Sequence, residues 1–126
     1  MKNIVKKLVD IEKEIASEKG NFKLFAFVLP EDASDYWDLL VSATWADEDS
    51  NESLKYLISK LKEKLTESEL IKISKVLFID SNNFDDNMQI RGGWEEGDFE
   101  FYGVSLKKAY MIVAPITNFK FEKSIV

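Results

Sequence analysis

The sequence predicts an α+β fold: a two-layer sandwich with a mostly antiparallel sheet of about five strands and two or three helices, in the order α-β-β-α-α-β-β-β. Three observations carry that expectation. Two β-rich apolar segments, residues 22–29 and 36–45, follow each other across a polar connector. An amphipathic helical stretch then interrupts the β pattern. From Val76 onward, short β-type segments alternate with turn formers. The chain has 126 residues, below the roughly 150 that serve as a prior for one domain. It is read as one globular domain over 1–126, with 116–126 as an edge strand or a tail.

The spacing of Ile4, Val5, Leu8, Ile11 and Ile15 predicts a helix over 3–18, stopped at Gly20. Its charge order opposes the helix dipole, with lysines early and Glu12, Glu14 and Glu18 late. Such a helix needs packing to hold it. Phe22 to Leu29 is apolar on nearly both faces, which places it at the centre of a sheet. Tyr36 to Trp45 alternates, with Trp37, Leu39, Val41, Ala43 and Trp45 on one face. The two segments are expected to pair as an antiparallel hairpin.

Asp49 and Glu52 have capping-box spacing, and Leu54, Leu57, Ile58, Leu61 and Leu65 then form a helical stripe. Thr66 and Glu69 make a second capping box, opening a short helix through about Ile73. Val76 to Asp80 reads as a buried strand and Met88 to Arg91 as another. Gly92-Gly93 and Glu95 to Asp98 read as turns. Phe99 to Leu106 is expected to be a strand bulged at Gly103, Lys107-Lys108 a turn, and Ala109 to Ala114 a strand ended by Pro115.

Composition narrows the chemistry. There is no Cys and no His, which removes disulfides, thiolate or imidazole metal sites and histidine acid–base catalysis. Seventeen basic residues face 23 acidic ones, a formal net charge of −6. An acidic domain repels phosphates, so nucleic acid is a poor partner. The longest apolar run, Leu24 to Leu29, is six residues, far short of the ~18 that suggest a membrane span. No signal-peptide pattern follows the N-terminal lysines. The expectation is a cytoplasmic protein that does not enter membranes.

Two readings of the carboxylates follow. Glu31 to Glu52 holds eight acidic residues and no Lys or Arg. Within it, Asp47, Glu48 and Asp49 would steer a basic partner protein. Arg91 is the only arginine, and Trp94, set between Gly93 and Glu95, resembles an interface anchor in a loop beside it. The second reading uses Asp80, Asp85 and Asp86 as oxygen ligands for Mg²⁺ or Mn²⁺. Glu95 or Glu96 would then serve as base in a metal-dependent hydrolase or phosphotransfer enzyme. An EF-hand is excluded, because counting from Asp80 puts Phe84 at a ligand position and Asp85 where glycine belongs. Asx turns explain the same acidic loop without a metal.

No nucleotide-binding or nucleophile-elbow motif is present. The sequence alone assigns no activity. It favours a small, acidic, non-catalytic domain that binds another protein without a cofactor, over the metal-dependent enzyme. The 116–126 segment adds a route to a homodimer, by pairing with the sheet edge of a second copy.

Overall fold

The structure, a computed structural model, describes residues 2–31, 35–83, 89–101 and 104–115. Helix α1 (Lys2–Lys19) is followed by strands β1 (Leu24–Pro30) and β2 (Trp37–Ser42). Helices α2 (Thr44–Asp47), α3 (Ser50–Lys64) and α4 (Glu67–Ile71) lead to β3 (Ile73–Phe78). A 3-10 turn (Ser81–Asn83) precedes β4 (Gln89–Phe101) and β5 (Val104–Pro115). The sheet order is β3-β2-β1-β5-β4. The fold is α+β, and β1 is central, as its two-sided apolar pattern requires.

The sheet is mixed. β1 runs antiparallel to β2 and to β5, and β4 antiparallel to β5, but β2 and β3 are parallel. The connection through α2, α3 and α4 is long enough to return the chain to the same end of the sheet before β3 begins. Among the described residues four α-helical segments replace the two or three expected, because Thr44 to Asp47 leaves the strand pattern and forms a short helix.

The helices cover one face of the sheet. Ile4, Leu8, Ile11 and Ile15 of α1 and Leu57 and Leu61 of α3 pack with Phe25, Phe27, Leu39 and Val41. Each fully buried side chain of this size contributes about 1.5–3 kcal/mol. The opposite face is not left to solvent. Leu24, Ala26 and Val28 of β1 join Leu106, Ala109 and Met111 of β5 in a second buried cluster. The expected two-layer sandwich therefore does not describe the molecule in full.

Register shifts within strands replace two of the expected turns. β4 runs unbroken from Gln89 to Phe101, so Gly92-Gly93 and Glu95 to Asp98 are strand, not turns. Its register slips between Arg91, opposite Val113, and Trp94, opposite Met111. The glycine pair thus faces the single residue Ile112, and two residues without Cβ accommodate that mismatch readily. Lys107-Lys108 also lies within a strand, where pairing with β1 shifts between Leu29 and Pro30. The glycine and lysine pairs thus mark register shifts and not turns, whereas Glu95 to Asp98 lies in regular register opposite β5. The Gly103 bulge and the 116–126 segment lie outside the described residues.

Candidate partner-binding groove

At the end of the sheet where β1 begins and β2 ends, α1 stops at Gly20. Gly20 has φ of 124°, a left-handed conformation, and its N–H donates to Ala16 O at 3.0 Å. Its carbonyl accepts from the indole Nε1 of Trp45, on α2, at 3.0 Å. A Cβ at position 20 would stand 3.3 Å from Trp45 Cδ1. Trp45 also meets Phe22 and Tyr56 edge-on, with ring centroids 5.5 and 6.3 Å away. The indole is pinned on these sides and remains partly exposed.

Two adjoining hollows share Lys19, Trp45 and Glu48. The inner one, about 520 Å³, extends along Gly20 to Lys23 and Thr44. The outer one, about 440 Å³, extends along Asp49, Glu52, Ser53 and Tyr56 at the start of α3. Together they form a groove at the carboxyl end of β2, the end of a β-α-β unit at which ligands commonly bind. Its outer half sets three carboxylates against one lysine.

Those carboxylates are differently engaged. Asp49 caps α3, accepting from Glu52 N at 3.2 Å. Glu52 lies 3.6 Å from Lys55, in a pair whose side chains are 71% and 77% exposed, so the pair contributes little. Among the described residues none bonds the Glu48 carboxylate, which is exposed. Asp47 behaves differently from its two neighbours. Its carboxylate accepts from Ser81 Oγ, and from Ser81 N at 3.4 Å. It ties α2 to the 3-10 turn, and Lys23 Nζ reinforces this by donating to Ser81 O at 3.1 Å. The expected acidic trio divides into one clamp, one cap and one carboxylate that nothing among the described residues bonds.

The wall behind the groove is an ion network between α1 and α3. Tyr56 donates its hydroxyl to Glu18. Lys60 donates to Glu14 at 2.9 Å and to Glu18 at 3.3 Å, and Lys64 lies 3.5 Å from Glu14. The Lys60 bond holds Glu14 below its ordinary value, and the Tyr56 bond followed by Lys60 does the same for Glu18. Burial, then the bond to Glu18, pushes the Tyr56 phenol up to about 12. Lys60 is raised, chiefly by its bond to Glu14. The late glutamates of α1, unfavourable to its own dipole, thus serve as acceptors for α3. Two ammonium groups stand over the Tyr56 ring, Lys19 Nζ at 4.9 Å from the centroid and Lys60 Nζ at 5.6 Å.

The remaining candidates are placed elsewhere. Trp94 is on strand β4 with backbone partner Met111, and Arg91 is opposite Val113. Trp94 is therefore not a loop anchor, because β4 continues through the glycine pair. Asp80 accepts from Asn82 N at 2.9 Å, the Asx turn that needs no metal. Asp85 and Asp86 lie outside the described residues. Among the described residues no group of three carboxylates is placed to hold a metal ion. None of their helices is long and apolar enough to cross a membrane.

Sequence reasoning located Glu48 and Asp49 but missed Lys19, Trp45 and Tyr56. Strand alternation sets Trp45 on one face with Trp37, Leu39, Val41 and Ala43, and Tyr56 lies outside the Leu54 to Leu65 stripe. The available signal was the three-residue spacing of Ala43 and Ala46, both buried, which suits a helical turn and not a strand. Comparison with known proteins finds no family model, no curated protein and no solved structure that matches this chain.

Proposed function

We propose that this chain is a small acidic, non-catalytic protein-binding domain of the cytoplasm, and that it receives a basic partner at the Trp45 groove. The observation that carries this reading is the meeting of exposed Glu48, Asp49 and Glu52 with a pinned, partly exposed tryptophan. Carboxylates in a concave site concentrate a positively charged partner and speed its approach. A rigid aromatic ring supplies contact area at low entropic cost. Neighbouring Asp47 supports the site by holding α2 to the 3-10 turn at Ser81, not by facing the partner.

The test is association with a panel of purified basic proteins, followed at two salt concentrations. Charge reversal at Glu48→Lys together with Glu52→Lys is expected to lower the association rate by about tenfold or more at low salt, with less effect at high salt. The melting temperature should stay nearly constant, because both side chains are exposed. Association rates that ignore this double substitution would overturn the assignment.

A further inference from the structure

The groove has a feature that a merely acidic surface lacks. The indole N–H of Trp45 is spent on Gly20 and the phenol of Tyr56 on Glu18. With their polar tips engaged, both side chains line the outer hollow. The Lys19 ammonium, which lines both hollows, already stands against Tyr56 at 4.9 Å from its centroid. A cation placed so is attracted by the ring quadrupole, and at an exposed position that attraction is weak enough to exchange.

Resting on the protein-binding reading, we infer that the groove is a receptor for one cationic side chain, an ammonium or guanidinium group of a basic partner, and that Lys19 is its resident competitor. Trp45 and Tyr56 supply the aromatic wall. Glu48 and Glu52 supply the opposing charge, and Asp49 adds to it while capping α3. The same set disfavours an anion. The first-turn donors of α3 already face a capping aspartate and an acidic first turn, so the helix end does not offer them to a phosphate. A neutral apolar group would strip water from three carboxylates without replacing it.

The experiment titrates the full, ¹⁵N-labelled chain with capped tetra-arginine and tetralysine peptides at low ionic strength, following the Trp45 indole N–H resonance. Both peptides are expected to move that resonance, and their order of affinity tells guanidinium from ammonium. Lys19→Met is expected to tighten binding about two- to fivefold, the range a released exposed cation–π contact allows. Lys13→Met changes the net charge equally at an exposed position of α1 outside the groove lining, and should tighten binding less. Glu48→Gln with Glu52→Gln should weaken binding. A Trp45 resonance unmoved by bound peptide, or equal effects of Lys19→Met and Lys13→Met, would overturn the receptor. If charge reversal still slows association with basic proteins in that case, the acidic docking surface stands and only the side-chain receptor falls.

Discussion

Strands β1 and β3 both carry large apolar residues, β3 with Ser74 and Lys75 among them, and they live in different surroundings. β1, Leu24 to Pro30, is buried at its first five positions and partly buried at the last two. Its side chains alternate into both cores, Phe25 and Phe27 toward the helices and Leu24, Ala26 and Val28 toward the other face. β3, Ile73 to Phe78, has no fully buried position. Among the described residues it pairs with β2 alone. Val76 and Phe78 still reach the helical core. Leu77, opposite Leu40, is 41% exposed. The helical layer extends over the sheet to its β3 edge, whereas cover on the second face fades beyond β2. Rank in the sheet, not composition, decides what an apolar side chain contributes.

The largest effect should come from emptying the centre. Phe27 stacks on Trp37 with centroids 4.9 Å apart, and Trp37 stacks on Tyr110 at 5.5 Å. Phe27→Ala is expected to cost about 3–5 kcal/mol in urea denaturation. A cost below about 1.5 kcal/mol would mean that the centre repacks and that β1 is less privileged than its burial implies. Next comes the hinge that leads into β1. Gly20→Ala must accommodate a left-handed φ and a 3.3 Å approach to Trp45, and should cost about 1–3 kcal/mol. Near-UV circular dichroism of Trp45 is the accompanying readout, and an unchanged spectrum with unchanged stability would contradict the Gly20–Trp45 coupling.

The helical cover over β1 should respond to pH in two windows. Glu14, Glu18 and Glu69 sit below their ordinary value of 4.5, the last through its bond to Lys7. Their contribution is complete above that value and is lost as pH falls through the lowered folded values. Tyr56 and Lys60 sit above their ordinary 10.0 and 10.5. Their contribution is complete below pH 10 and is lost as pH rises, beginning with Tyr56 between 10 and about 12. Urea midpoints are expected to fall at both ends, and Lys60→Met should flatten the acid limb. A midpoint that is constant below pH 4 would remove these pairs from the account of stability. The smallest effect belongs to the edge: Leu77→Ser should stay within about 0.5 kcal/mol. A cost near that of a core residue would show that the second face is covered as far as β3.

Local pattern made much of this legible. The stripe of Ile4, Leu8, Ile11 and Ile15 announces α1, and all four are buried. The capping box of Thr66 and Glu69 opens α4, with both reciprocal bonds formed. Asp49 caps α3. The two-sided apolar run places β1 at the centre. Legibility fails where one residue type serves two geometries. Glycine pairs and lysine pairs signal a turn or a bulge equally well, and a bulge becomes visible only with a partner strand in register. A tryptophan at the end of an alternating run belongs to the strand by pattern, but here the chain has already turned into α2. Of the site, Glu48 and Asp49 were visible as charge, while the aromatic wall was not.

The sequence by itself determined the α+β class, the central strand, the long helices and their caps, and the exclusion of histidine and cysteine chemistry. These follow from periodicity, from local hydrogen bonding and from composition, all of which act over a few residues. Only the tertiary structure decided that β3 runs parallel to β2, and that Asp47 turns to Ser81 while nothing among the described residues bonds the Glu48 carboxylate. It alone brought Lys19, Trp45, Glu48 and Tyr56 around one groove. Those outcomes depend on contacts between residues far apart in the chain, whose geometry is set by packing the two helices on the sheet.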